Sequence, residues 1–171
     1  GKALYVGISN YNRQQTEEIQ KIFKELRTPF ILNQPSYSML NRWVERDGLD
    51  EYCLQNNVSL AVFSPLYQGL LTDKYLGENI PADSRIGKGA TWIAKELDDA
   101  MRSRLVKLNE IAKGRGQKLS QMALSWVLHN KAVATVLIGA SRPEQIAENV
   151  ACIEKLDFTE AEIAAIEEAL K

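Results

Sequence analysis

Short apolar runs alternate along this chain with longer stretches in which apolar residues recur every three or four positions. The first run, Ala3-Leu4-Tyr5-Val6-Gly7-Ile8, has almost no polar relief and predicts a strand buried on both faces. Ser9-Asn10-Tyr11-Asn12 follows as a cluster of turn and capping residues, and then Ile19, Ile22, Phe23 and Leu26 fall on one helical stripe. Phe30-Ile31-Leu32 predicts a second strand, ended by Asn33-Gln34-Pro35 because proline cannot continue a central ladder. A helix is expected over 47–55, and Leu60-Ala61-Val62-Phe63 predicts a third strand that stops at Ser64-Pro65. Residues 67–96 form a long insertion rich in glycine and proline. Beyond it two helices are expected, over 98–113 with Met101, Leu105, Leu108 and Ala112 in one stripe, and over 119–129. Gly114-Arg115-Gly116 separates them and supplies a glycine suited to a helix stop. Thr135-Val136-Leu137-Ile138 predicts a fourth strand; closing helices are expected over 143–153 and 160–170, the second opened by Thr159.

Buried strands alternating with amphipathic helices imply an α/β fold, a parallel sheet with helical crossovers. An open doubly wound sheet and a (β/α)₈ TIM barrel both satisfy that pattern. A barrel needs eight strands and about 250 residues, whereas these 171 residues supply four units. Polar residues placed just after each strand favour half a barrel, forming one domain over 1–171. Its two outer strands would keep an unpaired edge, so an isolated chain is expected to dimerise, aggregate or pair with a missing half.

Composition narrows the partners. Charged residues make up 25% and the net charge is −1, which excludes nucleic-acid or acidic-membrane binding driven by bulk charge. No apolar run approaches the roughly 20 residues that span a bilayer, and Gly1-Lys2-Ala3 is no signal peptide. Cys53 and Cys152 show no metal or CxxC spacing and read as reduced, buried thiols of a cytoplasmic protein. The single histidine, His129, falls in a helix beside Trp126 and reads as a helix-end or core residue. Neither a metal site nor a Ser-His-Asp triad can be assembled from such a chain.

In parallel α/β proteins ligands lie beyond the carboxyl ends of the strands. The residues there are Ser9-Asn10, Asn33-Gln34, Phe63-Ser64-Pro65-Leu66 and Gly139-Ala140-Ser141-Arg142. Amides, hydroxyls and an aromatic suit a planar, uncharged amide ring with phosphates nearby. Gly139 lets a backbone approach a ligand closely. Ser141 and Glu144 have capping-box spacing around Pro143, at a helix start that offers unpaired N–H groups to an anion. Arg142 adds a charged fork for phosphate. Taken alone these residues are an ordinary cap and a surface arginine; agreement among the four sets tips the balance. Phosphate sites in such barrels form after strands 7 and 8, and Lys74 and Arg85 of the insertion would flank the same anion, the loop over 67–97 acting as a clamp.

The motifs Gly1-Lys2-Ala3-Leu4-Tyr5-Val6-Gly7-Ile8-Ser9-Asn10, Asn33-Gln34, Phe63-Ser64-Pro65-Leu66-Tyr67-Gln68-Gly69-Leu70-Leu71 and Ile138-Gly139-Ala140-Ser141-Arg142-Pro143-Glu144-Gln145-Ile146-Ala147-Glu148-Asn149 resemble those of aldo-keto reductases. Lys74-Tyr75 and Ile80-Pro81-Ala82-Asp83-Ser84-Arg85 are similar to the branch of voltage-gated potassium-channel β subunits and bacterial glyceraldehyde-3-phosphate reductases. The resemblance covers essentially the whole chain as strands 5–8, the C-terminal half of a (β/α)₈ barrel that reduces aldehydes and ketones with NADPH.

By that resemblance Ser9, Asn10 and Gln34 would hydrogen-bond the nicotinamide carboxamide, with Phe63 against the ring. Ser64, Pro65, Leu66 and Gly69 would lie along the pyrophosphate and its ribose, and Lys74 and Arg85 would close over the phosphates. Gly139 would give close approach; Ser141, Arg142 and Gln145 would hold the adenosine 2′-phosphate, and Glu148 and Asn149 the adenine. The preference for NADP(H) over NAD rests on Arg142 and the family. The family's catalytic aspartate, tyrosine, lysine and histidine lie on its first four strands, so no catalytic residue is expected here and the chain alone is expected to be inactive. Three readings remain open: part of a reductase acting on a small carbonyl, a cofactor-binding subunit like the channel β subunits, or an inactive half-barrel fragment. The bacterial form is favoured by Tyr67-Gln68-Gly69-Leu70-Leu71-Thr72. Trp43 and Trp92 fall in predicted loops and read as packed aromatics or pocket walls. A homo-oligomer is also compatible with the sequence.

Overall fold

The computed structural model describes residues 2–171, so Gly1 at the head of the first motif lies outside the described residues. The chain divides into two compact units, residues 1–65 with 127–137, and residues 66–126 with 138–171.

The first unit holds a four-stranded parallel sheet of order β1-β2-β3-β4, with β1 Val6–Ser9, β2 Phe30–Gln34, β3 Ser59–Phe63 and β4 Val133–Leu137. The sheet confirms the α/β class and the strand count. All four strands differ from expectation at one end or both: β3 starts one residue earlier, at Ser59, and β4 runs over Val133–Leu137 rather than Thr135–Ile138. Leu4 and Tyr5 precede β1 and are 84% and 60% exposed, so the apolar run before Val6 is not a buried strand. Strand β2 continues through Asn33 and Gln34, which align with Ile8 and Ser9, and only Pro35 stops it. Alternation then sends the two amides to opposite faces. Asn33 is fully buried, donating to Tyr11 O at 2.8 Å and Thr16 Oγ1 at 3.1 Å, whereas Gln34 is half-buried.

Helix α1 (Arg13–Glu25) opens with a reciprocal capping box between Asn12 and Gln15. Its predicted apolar stripe exists, but Ile22 and Leu26 remain 47% and 67% exposed and Thr16 is its buried residue. Trp43 is not in a loop: it opens α2 (Trp43–Arg46), and its indole N–H donates to Ser36 O at 2.6 Å. Helix α3 (Leu49–Gln55) follows, with Leu49 and Cys53 fully buried like Leu60 and Val62 of the central strand β3. Burial pushes the Cys53 thiol up to about 12, with the Asp50 charge adding to it, so it is an inert core residue.

In the second unit the long insertion is less irregular than expected. It contains two single 3₁₀ turns, Tyr67–Gly69 and Asp73–Tyr75, and the helix α4 (Thr91–Glu96), which carries Trp92 at 53% exposure. Helix α5 (Asp99–Gly114) is capped by Asp98 and buries Leu105, Leu108 and Ala112 as the stripe predicted. Its stop is made by Gly116, at φ +69, and not by Gly114. Gln117 N–H reaches Ala112 O at 2.9 Å and Gly116 N–H reaches Lys113 O at 2.9 Å, a Schellman ending. Helix α6 (Leu119–His129) comes next, with the division between units passing through it. Helix α7 (Pro143–Val150) ends before Ile153 because the chain tightens into a 3₁₀ turn over Ala151–Lys155. Helix α8 (Glu160–Ala169) starts at Thr159 with a full capping box to Glu162 and packs on α5.

Arg115 ties this unit together. It is 3% exposed, stacks 3.7 Å over the Phe158 ring, and donates to Lys155 O and Asp157 O at 3.2 and 3.0 Å. Its Nη1 lies 2.7 Å from Glu162 Oε2. Among the described residues no cluster of histidine, cysteine, aspartate and glutamate could hold a metal, and no helix is long and apolar enough to cross a membrane.

Candidate functional site

Each unit carries one part of the predicted set. In the first unit, the parallel register places Ser9 beside Gln34 at the carboxyl ends of β1 and β2. The Ser9 hydroxyl donates to Gln34 O at 2.9 Å, and Asn10 N–H donates to the same carbonyl at 3.1 Å. Asn10 takes a left-handed turn at φ +57, a conformation asparagine tolerates better than most residues. Its side-chain oxygen accepts from Ser36 N–H at 3.3 Å. That bond orients the amide and leaves its two N–H donors available. The Gln34 side chain is half-buried with no partner among the described residues, so it offers both a donor and an acceptor.

Phe63 ends β3 beside them. Its N–H donates to Pro35 O at 3.0 Å, and its carbonyl accepts from Tyr37 N–H at 3.3 Å. The ring is half-buried. Ser64 turns left-handed at φ +54 and Pro65 is buried, so the chain leaves the strand abruptly. Ser9, Asn10, Gln34 and Phe63 are therefore all at carboxyl ends of strands in one sheet, as predicted. The part played by Ser36 in orienting Asn10 was not legible, because 26 residues separate the two.

In the second unit Leu66 opens a turn in which Tyr67, Gln68 and Gly69 have φ of +45, +58 and +98. Gly69 N–H and Leu71 N–H both return to Leu66 O, at 2.9 and 3.2 Å. The Tyr67 hydroxyl is pushed up to about 12, first by its hydrogen bond to Glu96 and then by burial, so it stays protonated at neutral pH. Arg85 hydrogen-bonds the Gln68 side chain, so the insertion folds onto the turn that carries Leu66 and Gly69. Lys74 is half-buried on the second 3₁₀ turn with no ion-pair partner among the described residues.

The helix start after β4 differs from the predicted capping box. Arg142 is the N-cap residue, at φ −145 and ψ 146, and no side chain caps the helix there. Ser141 stands one residue outside, and Gln145 takes the role expected of Glu144. Its Oε1 accepts from Ser141 N–H at 2.8 Å and from the Ser141 hydroxyl at 3.2 Å. The acceptor sits at the third helical position, and the spacing misleads because Ser141 is not the first residue to leave helical geometry. Arg142 is exposed and pairs with no carboxylate among the described residues. A Cβ at Gly139 would meet no protein atom within 4 Å, so the fold does not use the space beside it. Glu148 and Asn149 follow on α7; Asn149 is buried, and Glu148 Oε2 is 2.5 Å from Lys118 Nζ.

Unpaired amide groups thus stand at strand ends of the first unit, and Arg142 and an open glycine stand at a helix start of the second. The profile described as the Aldo/keto reductase family matches residues 1–171. L-glyceraldehyde 3-phosphate reductase of Escherichia coli (strain K12) is 45% identical over 172 residues, which cover 98% of this chain and 49% of that protein. The putative voltage-gated potassium channel subunit beta of Schizosaccharomyces pombe is 35% identical, over 95% of this chain and 48% of that protein. Among solved structures, the holo form of an aldo-keto reductase from Bacillus halodurans has a TM-score of 0.68 at 25% identity, covering 98% of this chain and 50% of that one. A glycerol dehydrogenase from Gluconobacter oxydans has a TM-score of 0.77 at 24% identity, covering 97% and 48%, a likeness of fold alone. This chain spans about half the length of the relatives it matches, and it belongs to the aldo/keto reductase family.

Proposed function

We propose that this chain is the C-terminal half of a cytoplasmic, NADPH-dependent aldo-keto reductase barrel, supplying the grip on the cofactor and none of the acid–base chemistry. The observation that carries the reading is the amide cluster of the first unit. A carboxamide presents one acceptor and a pair of donors, and Gln34 with the Asn10 N–H groups offers the complement. Ser9 helps hold that frame through the Gln34 carbonyl. Ser64 and Pro65, which end the first segment of the first unit, lead into the Leu66–Gly69 turn proposed for the pyrophosphate, with Lys74 and Arg85 over it. Ser141, Arg142 and Gln145 would take the 2′-phosphate, and Glu148 and Asn149 the adenine.

When bound, the nicotinamide supplies the hydride for carbonyl reduction; the protein supplies position and electrostatics. Fixing the carboxamide fixes which face of the ring is presented, and Phe63 would lie against the ring. A proton must still reach the developing alkoxide, and that donor is assigned to the other half of the barrel. The higher identity to the glyceraldehyde 3-phosphate reductase, 45% against 35% for the channel subunit, supports a reductase acting on a small carbonyl over a channel-associated subunit.

The test is a fluorescence titration with NADPH, followed by turnover of methylglyoxal and glyceraldehyde 3-phosphate by the whole barrel protein. Binding with turnover supports the reading. Binding without turnover of any small aldehyde would favour the regulatory-subunit alternative, and no binding would remove the assignment.

A further inference from the structure

We propose that Lys118 is a positioning residue for nucleotide recognition, holding Glu148 in place and cancelling its charge so that a 2′-phosphate is accepted beside it. The inference rests on the cofactor reading above and deepens it.

Two hydrogen bonds tie the start of α6 to one turn of α7, and a third orders the α6 start itself. Lys118 Nζ donates to Glu148 Oε2 at 2.5 Å, Lys118 N–H donates to Gln121 Oε1 at 2.9 Å, and Gln121 Nε2 donates to Glu148 O at 2.9 Å. Gln121 therefore fixes the Glu148 backbone while Lys118 fixes its carboxylate. One carboxylate oxygen is taken, which leaves Oε1 to accept from an adenine amine. Gln145, Glu148 and Asn149 stand at i, i+3 and i+4 on α7 and share a face, so the carboxylate lies one turn from Gln145, the helical member of the set proposed for the phosphate.

An uncompensated carboxylate there would oppose a phosphate dianion. Arg142 carries the attraction, and Glu144 in the first turn of α7 already works against it. Lys118 removes the second opposing charge. The Glu148 hydrogen bond holds the Lys118 ammonium above its usual range, with the Asp73 charge adding to it, so the cation persists at every physiological pH. The pair is largely solvated, at 55% and 36% side-chain exposure. Such pairs contribute little to stability, so specificity separates from folding.

The experiment measures dissociation constants for NADPH and NADH in the whole barrel protein as wild type, Lys118→Met, Lys118→Arg and Lys118→Met with Glu148→Gln. Lys118→Met is expected to weaken NADPH about fivefold and NADH less than about twofold, the size of one unscreened charge at a partly solvated site. Lys118→Arg restores NADPH. Adding Glu148→Gln to Lys118→Met also restores the NADPH-to-NADH ratio, since it deletes the opposing charge; a merely structural lysine would not show that rescue. Equal losses for both dinucleotides, or no rescue by Glu148→Gln, would overturn the proposal. Wild-type protein that binds neither dinucleotide would instead overturn the cofactor reading beneath it.

Discussion

A single side-chain oxygen, Gln145 Oε1, accepts both the backbone N–H and the hydroxyl of Ser141, at 2.8 and 3.2 Å. The bonds close a short loop around Arg142 before α7 begins, so the arginine is presented by a pre-ordered backbone. Gln145→Ala removes both bonds, and Ser141→Ala removes only the weaker. NADPH dissociation constants are expected to rise about tenfold for the first and about threefold for the second. A titration in which Ser141→Ala costs more than Gln145→Ala would reverse the roles given to them.

Arg142 is expected to set cofactor choice. With no carboxylate to satisfy among the described residues, its guanidinium is available to an incoming phosphate. Arg142→Gln should weaken NADPH about 10- to 100-fold while changing NADH within about threefold, the difference being one charge-assisted contact. Parallel titrations of the two dinucleotides check it.

Stability of the second unit should depend on Arg115. Replacing it by methionine keeps much of the volume but removes its hydrogen bonds to the Lys155 and Asp157 carbonyls and its ion pair with Glu162, while Gln117 still donates to Lys155 O and Thr159 to Glu162. The expected loss is about 3 kcal/mol, read from the midpoint of urea unfolding.

Acid should act on the same cluster through Glu162. Its carboxyl is held below the usual range, first by the Thr159 N–H and with Arg115 contributing. A depressed folded-state value means the stabilising contribution is present above the unfolded value of 4.5 and is lost as pH falls through the lower folded one. Wild type should therefore lose more stability between pH 6 and pH 3 (about those values) than Glu162→Gln does. Equal slopes for the two would contradict a lowered folded-state value for Glu162.

The uncovered apolar surface of the first unit predicts self-association. Leu4, Tyr5, Ile22, Leu26 and Ile31 are all exposed, and β1 and β4 each have one unpaired edge. Gel filtration of the 171-residue chain alone should show dimers or larger species. A stable monomer of intact mass would contradict this.

Much of this fold is written in local patterns. The helix start at Thr159 and the α5 stripe of Leu105, Leu108 and Ala112 were readable because each depends on residues within a few positions. The same logic misjudged Ser141, since a capping box also needs its first residue to be the N-cap, and here that is Arg142. The α1 stripe has the right period, yet periodicity cannot say whether anything covers Ile22 and Leu26. Strand β2 outran its prediction because the Asn33 Nδ2 group finds acceptors on Tyr11 and Thr16, partners 22 and 17 residues away. At the candidate site, the residues after each strand could be named from chain order alone. The clamp of Lys118 and Gln121 on Glu148 could not, because it joins segments 30 and 27 residues apart.

The turn at Tyr67 and Gln68 constrains which sequences this protein can explore. Two consecutive non-glycine residues are held at positive φ, where branched side chains clash with their own backbone. A library randomised at these two positions should return asparagine, aspartate and glycine and discard valine and isoleucine, even where no neighbour touches the side chain. Variation at this turn is filtered by backbone geometry before any ligand has a say.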